Sequence, residues 1–229
     1  MRLLHRVVGL LDLVVPPTCA ACCLPGPAIC SACTGAIAVP HPVGCARCGH
    51  PWAVATPRCA ECPPAVDRLQ FAAAYVDPLK SAIGALKDHG RRDLASELAG
   101  LIASRCAGPP EGVGLTPVPL TRNRERDRGF NQAGLIAAHL GLAWDRPVVH
   151  LLQRVRDDPP QRGASATDRT LHVRGAFAIT PEGQIPPETW VVDDVCTTGA
   201  TLAACARTLR RAGVRRVAAV TVARVLRQP

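Results

Sequence analysis

The chain has 229 residues and a mass of 24.1 kDa, with 27 Lys+Arg against 18 Asp+Glu for a formal net charge of +9. Hydrophobic residues make up 48% and charged residues 20%, which is enough apolar surface for a real core and excludes a disordered, collagenous or coiled-coil chain. With 3 Phe, 3 Trp and 1 Tyr, a sheet that stacks several bases on aromatic rings is poorly supported.

Residues 3–15 are the nearest approach to a membrane span, but His5, Arg6 and Asp12 break the apolar run. Pro16 and Pro17 stand where a secretory signal would carry small residues for cleavage. The segment reads as an amphipathic helix packed on the protein itself, without membrane insertion, and a cytoplasmic location is expected.

The cysteines come next. Cys19 and Cys22, Cys30 and Cys33, Cys45 and Cys48, and Cys59 and Cys62 form four CxxC pairs within 44 residues. Each knuckle turns two thiolates toward one point, and two knuckles complete a tetrahedral zinc site, so eight cysteines fit two zinc ions. The surrounding stretch is rich in Pro and Gly and poor in large apolar residues, and a small unit of that kind folds on its metal. The quartets could be sequential (Cys19, Cys22, Cys30, Cys33 and Cys45, Cys48, Cys59, Cys62) or interleaved. Sequential pairing closes shorter loops at less entropic cost and is favoured. A disulfide framework suits a secreted chain and is disfavoured in the absence of an export signal. Cys106, Cys196 and Cys205 lie apart and read as small core residues.

After Pro63 and Pro64 the composition changes to apolar strands alternating with Ala/Leu-rich helices. The expected organisation is therefore a Cys-rich zinc module over residues 1–66 and an α/β domain over 67–229. Within the second, a strand is expected at 69–76, helices at 78–87 and 91–106, a short strand at 115–119, an Arg-rich turn, and a helix at 131–140. The charged, Pro-interrupted segment 154–174 is a candidate mobile loop. Strands follow near 177–179, 189–193 and 216–224, with a helix at 199–212 between the last two. Strand, helix and strand in so short a span make a βαβ crossover and imply a parallel sheet. Only Lys80 and Lys87 are lysine; the arginine-dominated remainder, in an Ala-, Gly- and Pro-rich background, reads mainly as the mark of a GC-rich genome, and an Arg-rich surface also suits phosphate ligands, whose oxygens match the guanidinium fork.

At the end of the buried strand the sequence runs Val191-Val192-Asp193-Asp194-Val195-Cys196-Thr197-Thr198-Gly199-Ala200-Thr201. Ligands bind in the crevice outside the carboxyl ends of parallel strands. Loop amides and a helix N-terminus favour a phosphate there, the threonine hydroxyls add donors, and Gly199 permits close approach of the backbone. Two acids beside a phosphate cradle suit ribose hydroxyls, with magnesium nearby. A Walker B strand has the same look, but neither lysine lies in a P-loop. An Asp pair that merely caps the next helix is the plainer alternative.

This run resembles the phosphoribosyl pyrophosphate (PRPP) motif of type I phosphoribosyltransferases. The resemblance implies that Asp193 and Asp194 hold the ribose hydroxyls while Val195, Cys196, Thr197, Thr198, Gly199, Ala200 and Thr201 clasp the 5′-phosphate, and that magnesium accompanies PRPP. Val118-Pro119-Leu120, the run from Arg126 to Ala133, Arg174-Gly175-Ala176-Phe177 and the Cys-rich start are together similar to the ComF group of competence proteins and their GntX-type relatives. That likeness covers nearly the whole chain. It implies a type I phosphoribosyltransferase-like parallel sheet flanked by helices, joined to a small zinc-ribbon module, with a link in some members to incoming DNA.

Arg126, Arg128, Asn131 and Gln132 at a helix start would suit pyrophosphate or an acidic partner, or make a solvated basic turn. Gln161 and Arg169 would belong to a lid over the substrate. Lys87 would reach a phosphate or simply decorate a helix end. Two function classes follow: a phosphoribosyltransferase of unknown acceptor, and a zinc-ribbon adaptor for single-stranded DNA or a protein of the DNA-uptake machinery, in which the PRPP site is a sensor or relic.

Overall fold

The computed structural model describes residues 17–39, 43–156, 175–181 and 184–226. Two further expected features, the helix at 3–15 and most of the candidate loop at 154–174, lie outside them. Among the described residues, a six-residue helix α1 (Ser31–Ala36) sits within the cysteine-rich start. Then come β1 (Arg68–Ala74), α2 (Leu79–Asp88), α3 (Leu94–Arg105), β2 (Gly114–Pro117), α4 (Arg122–Arg128), α5 (Gln132–Trp144), β3 (Leu152–Arg154), β4 (Phe177–Ile179), β5 (Glu188–Cys196), α6 (Ala200–Arg211) and β6 (Arg216–Arg224).

Four strands form a parallel sheet in the order β1-β6-β5-β2. The register sets Phe71 beside Thr221, Val192 beside Val220 and Thr116 beside Val191. Central strands of a parallel sheet are covered on both faces and so read as continuous apolar runs rather than alternating ones. β6 is buried at every position after Arg216, and Thr189 to Val192 are buried in β5. The polar hydroxyls in this interior are paired: Thr116 and Thr189 lie 2.9 Å apart.

One face of the sheet is covered by α2, α3 and α5, whose Ile83, Leu86, Leu98, Ile102, Ile136 and Leu140 meet Trp190, Val192 and Val220. Residues around the first cysteine quartet, Ile29 and Ile37, join this core. The other face packs Val191, Val217 and Ala219 against Leu202, Ala206 and Leu209 of α6, Phe177 of β4 and the cysteines of the second quartet. The two quartets thus lie against opposite faces, and each adds apolar cover that the helices alone do not supply.

The expected βαβ unit is present, with β5 and β6 adjacent and parallel around α6. Three expectations are corrected. The Arg-rich turn is the helix α4, started by Thr121, whose side chain accepts from the Arg124 amide at 3.2 Å, and ended by Gly129 at φ 72°. Asp193 and Asp194, with Val195 and Cys196, still belong to β5, so the turn proper begins at Thr197. The helix at 131–140 runs on to Trp144, with Asn131 as its N-cap accepting from the Gly134 amide at 3.3 Å. β3, which the sequence did not announce, pairs antiparallel with β4 as a short ribbon.

Candidate functional site

The two cysteine quartets group sequentially, Cys19, Cys22, Cys30 and Cys33 in one and Cys45, Cys48, Cys59 and Cys62 in the other, with the ligand atoms of each within 4.8 Å of one another. A tetrahedron of thiolates about 2.3 Å from zinc has sulfurs about 3.8 Å apart. Cys22 and Cys30 lie 3.8 Å apart, Cys48 and Cys59 3.6 Å, and Cys59 and Cys62 3.9 Å. The donor set fits zinc in both places.

The thiols are held unevenly. At Cys19 burial works against ionisation, but the amides of Cys22, Cys30 and Ala21 outweigh it and bring the thiol down to about 6. Cys45 falls to about 7 against the same opposing burial, through the Cys48 amide and the Cys62 thiol. The neighbouring thiol of Cys30 and burial push Cys33 up to about 12, and burial raises Cys62 to about 12 and Cys59 to about 11. Thiolates crowded this closely all ionise only around a cation.

The second site is a cleft of about 320 Å³ at the carboxyl ends of β5 and β2. Its floor is Asp193, Asp194 and Val195, and one wall is Thr197 and Thr201 at the start of α6. Gly199 caps α6 at φ 73°, a left-handed conformation that glycine takes without strain. The Thr198 hydroxyl accepts from the Ala200 amide at 3.3 Å, which tightens the turn. The first amides of a helix have no partner within it, so this wall offers donors and partial positive charge.

The opposite wall comes from α2, α4 and α5. Lys87, near the end of α2, reaches across to Asp194, Nζ to Oδ1 2.7 Å. Asp193 is pushed up to about 7, first by burial and then by the charge of Asp194, with Lys87 pulling the other way. Arg128 lines the cleft and pairs with Asp88 at 3.2 Å. Asn131 donates from Nδ2 to the Val118 carbonyl at 3.0 Å, fixing the loop Val118-Pro119-Leu120 against the start of α5. Gln132, at 1% exposure, lines the cleft with its carboxamide nitrogen unpartnered.

Most of the residues expected at the site therefore come together. Arg126 does not: it is exposed, donates to Asn123 at 3.0 Å and stays off the cleft. Cys196 is buried with its thiol pushed up to about 11, chiefly by burial, so it backs the site as an apolar residue. Gln161 and Arg169 lie outside the described residues. Arg124 and Arg154 line the cleft unforeseen. A helical reading of the segment would have found Arg124, because it shares a face with Arg128 four residues on whereas Arg126 does not. Arg154 sits on the three-residue β3, too short to leave a pattern.

The chain is 34% identical to the DNA utilization protein YhgH of Salmonella typhi, over 93% of this chain and 100% of the relative. The chain belongs to the ComF-like family. Competence protein F of Haemophilus influenzae is 31% identical over 76% of this chain and 81% of its own length. Competence protein ComFC of Bacillus subtilis is 32% identical over 61% of this chain and 56% of its own. No protein-family model matches the chain. Among the described residues of this ComF-like chain, no helix is long and apolar enough to cross a membrane.

Proposed function

We propose that this ComF-like chain binds PRPP with magnesium in the cleft between β5 and α5 and transfers its phosphoribosyl group to an acceptor. The carrying observation is the two adjacent carboxylates at the end of a buried parallel strand, followed by a threonine-rich turn into α6 and faced by Lys87, Arg128 and Gln132. Asp193 and Asp194 would accept from the ribose hydroxyls. Residues 197–201 would donate to the 5′-phosphate from backbone amides and threonine hydroxyls. Hard carboxylate oxygens in a polar cleft fit magnesium, which neutralises diphosphate charge when bound. Lys87, Arg124 and Arg128 would take up the charge that grows on the departing diphosphate, and holding the two reactants in register supplies much of the catalysis.

The relatives' names, competence protein and DNA utilization protein, support a role in handling DNA for this chain, a cytoplasmic protein whose zinc module over 1–66 lays its two cysteine quartets on the sheet of the 67–229 domain. A second reading, an adaptor that contacts single-stranded DNA or a protein partner, is favoured by one feature. Arg122, Arg154 and Arg156 line a hollow of about 430 Å³ that shares Arg154 with the cleft. Binding of that kind weakens steeply with salt. The deciding experiment is calorimetric titration of PRPP with magnesium into the zinc-loaded chain and into the Asp193→Asn/Asp194→Asn variant. Saturable binding lost in the variant supports the transferase reading. Absent binding by the wild type, with salt-sensitive capture of an oligonucleotide, favours the adaptor.

A further inference from the structure

Arg224 ends β6 and is 2% exposed. A guanidinium buried that deeply needs partners for its donors. Its two terminal nitrogens find them in the second cysteine site, where Nη1 donates to the Cys48 carbonyl at 2.5 Å and Nη2 to the Glu61 carbonyl at 2.6 Å, while Nε is buried without a partner. Those carbonyls belong to the two different knuckles, one on a ligand cysteine and the other next to Cys62. The Phe71 ring lies against the same guanidinium, 5.8 Å from its centre. One side chain thus ties both halves of the metal site together.

The backbone at the same position reaches the phosphate turn. Arg224 is the register partner of Cys196, and the Val225 amide donates to the Cys196 carbonyl at 2.9 Å, one residue before the turn begins. A second contact runs directly from knuckle to turn. Pro63 follows Cys62, and its ring lies so close to Gly199 that an added Cβ there would stand 2.6 Å from Cγ. The turn therefore rests on the back of the second metal site. The first quartet makes no corresponding contact among the described residues. It is tied instead to the opposite face, through Ile29 and Ile37 and through Arg91, which donates to the Thr18 carbonyl at 3.0 Å.

We infer that Arg224 is a positioning residue that, with Pro63, makes the second cysteine site a structural part of the 197–201 turn, so that metal at Cys45, Cys48, Cys59 and Cys62 and an anion at the turn favour each other. The inference deepens the PRPP reading in its functional half, because it assigns regulation of that site to metal loading. Without a cation the four crowded thiols move apart, the carbonyls of Cys48 and Glu61 shift, and Pro63 no longer backs Gly199. Linkage between two ligands is reciprocal, so whatever metal does for the anion the anion does for the metal.

The test uses the full zinc-loaded chain and reads amide hydrogen exchange around the turn at Ala203 and Val225, whose amides donate to the Gly199 and Cys196 carbonyls, a readout that needs no ligand. In Cys59→Ser/Cys62→Ser the turn exchanges about tenfold or more faster than in wild type, whereas Cys30→Ser/Cys33→Ser leaves it unchanged. Arg224→Gln keeps every thiol and gives the same acceleration, and Arg224→Lys restores part of the protection. If the serine pair does not fold, the Arg224 variants decide. Unchanged exchange of the turn in Arg224→Gln, or equal effects from the two serine pairs, overturns the inference. A second arm follows zinc transfer to a chromogenic chelator: PRPP with magnesium slows release from the second site alone in wild type and not in Arg224→Gln. Failure of PRPP to bind sinks the transferase reading while the exchange arm still reports on the coupling. Binding without any change in turn protection between metal states sinks the coupling alone.

Discussion

Replacing Lys87 with Met removes a cation in direct contact with the acidic pair. Lys87 is 24% exposed and Asp194 12% by side chain, with their charged atoms 2.7 Å apart. Removing one partner of a fully buried pair costs about 3–5 kcal/mol, and the partial exposure of Lys87 reduces that to about 1–3 kcal/mol. The cost depends on pH in a defined direction. Burial and the neighbouring charge of Asp194 hold Asp193 up to about 7 in the folded chain, above the ordinary carboxylate value of 3.8, so the folded form binds the proton more tightly than the unfolded one. The stability contribution of Asp193 therefore falls as pH rises from about 4 to about 7 and levels off above. Lys87 opposes that rise, so its loss pushes Asp193 higher still and extends the decline to more alkaline pH. Urea denaturation of the zinc-loaded proteins, with Met as a near-isosteric replacement, should give a larger deficit for the variant at pH 8.5 than at pH 6, where Asp193 carries a proton in both. Equal deficits at the two values would refute the assignment of Lys87 as the counter-charge of this pair.

Metal analysis of the purified chain should return two zinc ions per molecule, falling to one in either Cys30→Ser/Cys33→Ser or Cys59→Ser/Cys62→Ser; a single ion in wild type would mean that one quartet does not load. Affinity for PRPP with magnesium should rise about tenfold between pH 6 and pH 8, as the fraction of ionised Asp193 rises about tenfold across a value near 7. Asp193→Asn should flatten that profile, and calorimetry at matched ionic strength that shows an unaltered slope in the variant would assign the titration elsewhere.

What the sequence disclosed depended on how local the cause was. The unit β5-α6-β6 was legible because a run such as Thr189 to Val192 is apolar on both faces and Gly199 and Gly213 mark the ends of its helix. The cysteine grouping was legible because short spacing limits how thiols can meet. α4 was not, because it buries none of its residues and so carries no apolar stripe; its stability comes from the Thr121 cap and the Gly129 stop. β3 exists only through its pairing with β4, so Arg154 could not be placed in the cleft without the fold. The contact between Lys87 and Asp194 likewise joins distant parts of the chain, and only the packing of α2 on the sheet brings them together. The strut from Arg224 to the second cysteine site is of the same kind, since nothing near Arg224 in sequence marks it as buried among carbonyls.

Gln132 separates a binding role from a structural one. Its carboxamide nitrogen is buried beside the acids without a partner, an arrangement that costs a folded protein about 1–3 kcal/mol until something accepts from it. A purely structural glutamine at the first position of a helix would have found a carbonyl or pointed to water. Gln132→Met keeps the length and removes the donor, so stability of the unliganded chain should hold or rise slightly, because no buried donor remains unsatisfied. Binding of PRPP with magnesium should weaken about tenfold, the equivalent of about 1.4 kcal/mol for one lost hydrogen bond to a charged oxygen. The two measurements should move in opposite directions in the same variant, which lost packing alone cannot produce. If calorimetry finds the affinity unchanged while denaturation shows a destabilised fold, Gln132 supports the helix start and does not face the ligand.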